Sequence, residues 1–202
     1  MILIDNYDSF TYNIVEYFNI LGKKLTIYKN DEITIEELEN IEFETIILSP
    51  GPSNPDNAGI TLDIIKRFYQ EKNILGVCLG YQAIAQFFGA KIIKSDNPVH
   101  GKCSRIYFTE GEELFKDFKQ GFKATRYHSL IVDNNSINYP IKPIAYTQDN
   151  ILMGIKIENL PIYGVQFHPE AILTENGINI FKNFCDILEK NRRNNEKNNN
   201  NL

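Results

Sequence analysis

A chain of 202 residues, 43% hydrophobic and 23% charged, is long enough to bury one substantial core and has the composition of an ordinary globular domain. Its formal net charge of −5, with no dense basic cluster outside a short C-terminal stretch, argues against a nucleic-acid binder. No apolar run approaches the ~20 residues of a membrane helix; the opening MILIDNYDSF lacks the regions of a signal peptide; and three cysteines are too few and odd for a disulfide framework. The expectation is a cytoplasmic protein carrying free thiols.

In chain order, MILI (1–4) reads as a short buried strand, and residues 10–21 place Phe10, Ile14, Tyr17, Phe18 and Leu21 on one helical face. LTIYK (25–29) is a strand, TIEELEN (34–40) a short acidic helix, TIILS (45–49) an apolar strand, and residues 60–70 a helix. Ile74–Val77 is a strand, followed at once by Leu79, Ala83, Ile84, Phe87 and Phe88 at helical spacing. This β-α-β-α rhythm predicts an α/β fold in three layers, a mostly parallel central sheet with helices on both faces. Residues 102–108, 122–126, 141–147, 151–157 and 162–167 read as short strands joined by turns, a small antiparallel extension. A helix over 174–190, with the stripe Ile178, Phe181, Phe184 and Leu188, closes a single domain over 1–190. The remaining residues, 191–202, are polar and of low complexity, and are expected to be disordered.

Sites on parallel sheets form beyond the carboxyl ends of the strands. Three loops at that edge, DNYDS, PGPSNPDNAG and the corner at Cys78, are rich in Gly, Pro, Asn and Asp. The corner GVCLG has the form of the nucleophile elbow, with sulfur in place of oxygen. Gly76 and Gly80 let the helix pack close to the strand and leave the Cys78 thiol at a helix N-terminus, where the dipole favours a thiolate. The plainer reading of a cysteine is a small buried hydrophobe. That reading fits Cys185, on the apolar side of the last helix, and Cys103, in a strand.

A nucleophilic thiol needs a base, and the base an orienting partner. His168 in YGVQFHPEA is followed two residues on by Glu170, with Pro169 fixing the backbone between them. His128 in TRYHSL is the rival base without a nearby acid, and His100 in PVHGK reads as a loop residue. Acyl transfer also needs an oxyanion hole. In SPGPS the two prolines have no N–H, so Gly51 and Ser53 offer the free amides, with Leu79 beside the nucleophile as second donor. Three strand-end segments far apart in sequence thus converge on one cysteine-dependent acyl-transfer reading.

SPGP, GVCLGYQ and FHPE, in this order and at these separations, resemble the class I (triad) glutamine amidotransferases over the whole chain except the tail. ILIDNYDSFTYN, SPGPSNPDNAG and ATRYHSLIV narrow the resemblance to the small subunits of the chorismate-using synthases, aminodeoxychorismate synthase and anthranilate synthase. The first of these, in the para-aminobenzoate branch, is the closer in appearance. The resemblance implies Cys78 as nucleophile, His168 as base and Glu170 as its orienting acid. It implies oxyanion donors at Gly51 and Leu79, and a glutamine site including Pro52, Ser53, Gln82, Ser129 and Leu130. It implies no metal or other cofactor in this chain, Mg²⁺ in the partner, and ammonia passed to a chorismate-binding synthase large subunit. Asn6, Tyr7, Asp8 and Ser9, in the loop after the first strand, are the expected partner interface. Tyr81, Ser53 and Ala171 depart from the residues usual in relatives. Two other classes fit fragments of the pattern. A flavodoxin-like receiver would use Asp5 and Asp8 but needs an aspartate where LSPGP stands, and a thiol-based stress sensor leaves FHPE and SPGP unexplained.

Overall fold

Alternation along the short strands decides the architecture. In the computed structural model, which describes residues 1–199, Leu3, Ile47, Leu75 and Val77 pack into one apolar cluster. Their neighbours Ile2, Ile4, Ile46, Leu48 and Ile74 pack into another on the opposite face. A strand buried on both faces belongs at the centre of an α/β sheet. These residues lie in β1 (Ile2–Asp5), β3 (Thr45–Leu48) and β4 (Asn73–Val77), which with β2 (Thr26–Lys29) and β9 (Ile162–Val165) form the parallel part. The antiparallel part holds β5 (Ile92–Phe108), β6 (Phe122–Val132), β7 (Ile141–Thr147) and β8 (Leu152–Ile157). All nine strands share one sheet in the order β2-β1-β3-β4-β9-β8-β7-β5-β6.

Helices cover both faces. Ile14 and Phe18 of α1 (Thr11–Ile20) meet Phe181 and Phe184 of α5 (Ile178–Asn199) on one side, with the rings of Phe18 and Phe181 5.2 Å apart. On the other side lie Leu38 of α2 (Ile35–Glu39), Ile64, Ile65 and Phe68 of α3 (Thr61–Phe68), and Ala83 and Ile84 of α4 (Leu79–Phe87). Each such buried aliphatic or aromatic side chain contributes about 1.5–3 kcal/mol. Among the described residues, no helix is long and apolar enough to cross a membrane.

Four local expectations change. The strands expected at 102–108 and 122–126 are the ends of longer ones. The polar run KSDNPVHGK carries no period-2 apolar signal, yet it pairs with β6 because register shifts between Lys94 and Val99, and between His100 and Lys102, absorb the extra residues. His100 therefore lies in β5, not a loop. Cys103, also in β5, is exposed and not a buried hydrophobe, whereas Cys185 is buried as expected. The closing helix begins at Ile178 and runs on through residues expected to be disordered, as far as Asn199. Pairs one turn apart, Glu189–Arg193 and Arg192–Glu196, each at 3.7 Å, accompany that polar extension; each is worth about 0.3–0.5 kcal/mol at best. Residues 200–202 of the expected tail lie outside the described residues.

Candidate active site

Cys78 stands between β4 and α4 with φ 52° and ψ −101°, a conformation that costs a non-glycine residue about 1–3 kcal/mol. Its surroundings impose it. The Cys78 N–H donates to the Val165 carbonyl at 2.8 Å, and the Cys78 carbonyl accepts from the Gln82 N–H at 3.0 Å. The flanking glycines are sterically required: a Cβ on Gly76 would lie 2.5 Å from the Gly80 backbone, and one on Gly80 would lie 2.4 Å from the Leu48 carbonyl oxygen. The sulfur thus sits at the N-terminus of α4, on the positive end of its dipole.

His168 follows β9 and is locked through its backbone. Its N–H donates to the Thr125 carbonyl at 2.9 Å, and its carbonyl accepts from Thr174 Oγ1 at 2.6 Å. Its Nδ1 lies 2.6 Å from Glu170 Oε1, with both side chains buried. A carboxylate only accepts, so Nδ1 carries the proton. The other ring nitrogen, Nε2, is buried with no formed hydrogen bond; the Cys78 thiol, near enough for its charge to act on the imidazole, is itself directed at the Tyr127 carbonyl at 3.9 Å. Burial pushes the imidazole's pKa down. The negative charge of the sulfur, then Glu170, outweigh burial and hold it well above the usual histidine value. A loose nucleophile–base contact is the common condition of an unliganded site. Tyr127 packs edge-on against the imidazole at 5.2 Å and Phe10 at 6.5 Å, walling it from water. Phe10 precedes α1 as its N-cap and leans on the site, so it is not part of the helix's core stripe.

His128 is spent elsewhere. Arg126 Nε donates to its Nε2 at 2.9 Å, and its Nδ1 lies 3.0 Å from the Leu130 carbonyl. Because Arg126 can only donate, Nε2 accepts and Nδ1–H donates to Leu130. Burial, then the Arg126 charge, lower its pKa to about 4.

The SPGP loop meets the elbow directly. A Cβ on Gly51 would lie 2.8 Å from Leu79 Cδ2 and 2.5 Å from the Asn6 carbonyl oxygen. Among the described residues, neither the Gly51 nor the Leu79 amide donates to a backbone acceptor, which leaves both free for an oxyanion. Pro52 and Ser53 are exposed, and Ser53 has φ 69°. Asn6 is placed differently from expectation. It is 2% exposed, its N–H and Nδ2 donate to Ser49 at 2.8 and 2.9 Å, and its Oδ1 accepts from Asn30 and Thr61. Every polar group on its side chain is used inside the fold, so Asn6 buttresses the SPGP loop and presents nothing to a partner. Tyr7 and Ser9 are exposed and Asp8 is half-buried.

Gln82 is 3% exposed, and its Nε2 donates both to the Leu130 carbonyl at 3.1 Å and to Gln166 Oε1 at 2.9 Å. Ser129 is exposed and Leu130 half-buried beside it. Tyr81 is fully buried, with its hydroxyl donating to the Leu152 carbonyl at 3.4 Å and its body against Gly164; it fills the core under α4 and does not line the site. Sequence reasoning missed Gln166, Ser49 and Tyr127. The one signal for Gln166 was a polar residue enclosed by Val165 and Phe167 in an otherwise apolar strand end. A cavity of about 790 Å³ lined by Met1, Thr45, Asn73, Pro161 and Leu188 lies at the amino ends of the strands, away from Cys78. No three His, Cys, Asp or Glu among the described residues are grouped to hold a metal ion.

A thiol on a strained strand-to-helix corner, an imidazole backed by a buried carboxylate, and two free amides define a cysteine-dependent acyl-transfer site on a doubly wound sheet. Residues 2–188 match the family Glutamine amidotransferase class-I, and the chain belongs to that family. It is 44% identical over 190 residues to the Aminodeoxychorismate/anthranilate synthase component 2 of Bacillus subtilis, covering 94% of this chain and 97% of that one. Identity is 45% over 189 residues to the Anthranilate synthase component 2 of Cyanophora paradoxa (93% and 99% covered). It is 42% over 184 residues to the Aminodeoxychorismate synthase component 2 of Escherichia coli (91% and 98% covered). Among solved structures, a candidate GMP synthase subunit from Thermoplasma acidophilum superposes with a TM-score of 0.84 at 26% identity, covering 96% of both chains. A glutamine amidotransferase from Thermotoga maritima shares the fold, with a TM-score of 0.71 at 16% identity over 95% of this chain and 84% of that one. The fold and family expected from the sequence hold.

Proposed function

We propose that this chain hydrolyses glutamine at Cys78 and passes the ammonia to the large subunit of a chorismate-aminating synthase, aminodeoxychorismate synthase in the first instance. The observation that carries the chemistry is the buried Nε2 of His168, left unpartnered beside the charge of Cys78 with Glu170 2.6 Å behind the ring. His168 takes the thiol proton, and the sulfur attacks the side-chain amide carbon. The Gly51 and Leu79 amides receive the resulting oxyanion. The proton returns from the imidazolium to the departing nitrogen, which leaves as ammonia. Water, activated by the same imidazole, then splits the glutamyl thioester to glutamate. Glu170 holds the ring in one tautomer throughout. With both Nε2 hydrogens of Gln82 occupied, only its Oε1 is open to substrate, an acceptor suited to the glutamine α-ammonium, with Ser129 and Leu130 alongside. No step calls on a metal or organic cofactor in this chain; Mg²⁺ belongs to the partner's chorismate chemistry.

The second reading is the anthranilate partner, or both partners. It is favoured by the Bacillus subtilis relative, whose name carries both synthases. The deciding experiment mixes the chain with each large subunit, chorismate and Mg²⁺, and assays aminodeoxychorismate and anthranilate with glutamine or ammonium as nitrogen source. Cys78→Ala is expected to abolish the glutamine-dependent product and leave the ammonium-dependent product intact. Glutamine hydrolysis persisting in Cys78→Ala would overturn the chemistry. Stimulation by neither large subunit would overturn the partner.

A further inference from the structure

Gln166 lies outside the triad, the oxyanion donors and the glutamine contacts, yet its side chain touches the reacting atom. It is fully buried, and its Nε2 lies 3.5 Å from Cys78 Sγ. That contact matters only if the nitrogen, and not the oxygen, of the amide faces the sulfur, and the surrounding hydrogen bonds settle the point. The Leu130 carbonyl is a backbone oxygen and can only accept. Gln82 must therefore turn its Nε2 toward it, at 3.1 Å. The second hydrogen on that nitrogen is directed at Gln166, at 2.9 Å, so Gln166 must answer with Oε1. Reversing the Gln166 amide would set two donors against each other. Its Nε2 is thus left pointing at sulfur. A second line fixes the same anchor, since His128, made an Nε2 acceptor by Arg126, also donates to the Leu130 carbonyl.

We propose that Gln166 is a catalytic hydrogen-bond donor to the Cys78 sulfur, and that Gln82 is the positioning residue that holds it in the donating orientation. The inference rests on Cys78 being the nucleophile. A thiol sulfur is a weak acceptor and a thiolate a strong one, so a fixed donor favours the charged form. When His168 removes the thiol proton, the Gln166 N–H faces the negative sulfur. As the sulfur lone pair forms the bond to the amide carbon, negative charge passes to the carbonyl oxygen and the Gln166 contact weakens. When water displaces the sulfur from the thioester, the S–C electron pair returns to sulfur and the same N–H receives it. Gln166 therefore assists thiolate formation at the start of the cycle and thiolate departure at its end.

The test is the rate of Cys78 alkylation by iodoacetamide as a function of pH, followed site by site by mass spectrometry on the full chain. The other two cysteines are built-in references: exposed Cys103 reports reagent reactivity, and buried Cys185 reports folding. In Gln166→Met, which keeps length and volume without the donor, half-maximal alkylation is expected about one pH unit higher. The Cys78 rate at pH 7 should fall about tenfold. The Cys103 rate should be unchanged and Cys185 protected. Gln82→Met, which leaves Gln166 in place but free to turn over, should move the midpoint in the same direction by less. Midpoints equal to wild type in both variants, with Cys185 protected, would overturn the proposal. The failures are distinguishable: hydrolysis surviving Cys78→Ala defeats the nucleophile assignment, whereas dead Cys78→Ala beside wild-type Gln166→Met defeats this inference alone.

Discussion

His168 Nδ1 and Glu170 Oε1 lie 2.6 Å apart in a site where neither side chain is more than 2% exposed. Removing one partner of a buried pair leaves the other without compensation, and here it also releases the tautomer that leaves Nε2 free to accept a proton. In Glu170→Gln the side-chain amide can answer Nδ1 with either its oxygen or its nitrogen, so the imidazole loses its fixed proton position. Glutamine-dependent turnover is expected to fall by ~10²–10⁴-fold, the range of general-base losses, with little change in KM. Steady-state glutaminase kinetics in the presence of the large subunit measure both, and a kcat within twofold of wild type would remove Glu170 from the mechanism.

The elbow glycines give a prediction about folding rather than chemistry. A Cβ at residue 80 meets the Leu48 carbonyl oxygen at 2.4 Å and the Leu48 side chain at 2.6 Å, all within the sheet core. Gly80→Ala must push α4 away from β3 and is expected to cost about 1–3 kcal/mol, the usual cost of overpacking. Because α4 carries Leu79 and supports Cys78, glutaminase activity should fall further than stability alone explains. A urea titration beside an activity assay separates the two, and wild-type values in both would show that the corner tolerates a methyl group.

Much of this was legible in the sequence, and what was missed has physical causes. The parallel half was plain because its central strands β1, β3 and β4 are buried on both faces and its helices bury an apolar face, so periodicity and burial say the same thing. Cys78, His168 and Glu170 stood out because each lies just past a strand, with glycines two residues to either side of the cysteine and Pro169 between the other two. The β5–β6 hairpin was underread because its pairing is carried by backbone hydrogen bonds under exposed polar side chains and interrupted by bulges. Asn6 was misplaced because an asparagine in a loop looks the same in sequence whether it faces solvent or, as here, ties two loops together. Gln166 was invisible because its meaning lies in contacts with residues 78 and 82, more than eighty positions away.

The neutral, buried His128 makes stability depend on pH in a defined window. Burial and Arg126 hold its pKa at about 4 in the folded chain, against a usual 6.5. Between those values the unfolded chain binds a proton that the folded chain does not, so stability rises with pH there. The contribution is fully present above 6.5 and is lost as pH falls toward 4, a total of roughly 3 kcal/mol. His168, whose pKa is raised, acts with the opposite sign and only above 6.5. Wild type is therefore expected to lose about 2 kcal/mol between pH 6.5 and 5, and His128→Gln, which removes the titration, to lose markedly less. Urea midpoints at the two pH values decide the matter; parallel losses in both proteins would mean that other groups dominate.

The loop after β1 remains the predicted contact for the large subunit, with its roles now divided among its residues. Asn6 is internal, and Asp5 is buried and accepts from the Tyr7 N–H and from Thr11 Oγ1, both at 2.9 Å. These bonds hold the loop open with Tyr7 at φ 63° and 49% exposed. The Tyr7 hydroxyl donates to Asp31 at 2.6 Å, and Lys29 Nζ lies 4.0 Å from the ring centroid. A large aromatic ring presented on a bent backbone is a costly way to finish a turn, but it is a suitable anchor for a partner surface, where tyrosine is enriched. Three residues on, the Phe10 ring packs edge-on against the His168 imidazole, so the same loop touches both the rim and the site. Tyr7→Ala removes only exposed contacts from the free chain and should change its stability by less than about 1 kcal/mol. Its basal glutaminase rate should also hold. Affinity for the large subunit should fall at least tenfold, and stimulation of hydrolysis at fixed subunit concentration should fall with it. Isothermal calorimetry with the large subunit, beside a thermal melt of the free chain, measures the two effects separately. Undiminished affinity in Tyr7→Ala would leave the tyrosine as a feature of the turn and place the partner elsewhere on the rim.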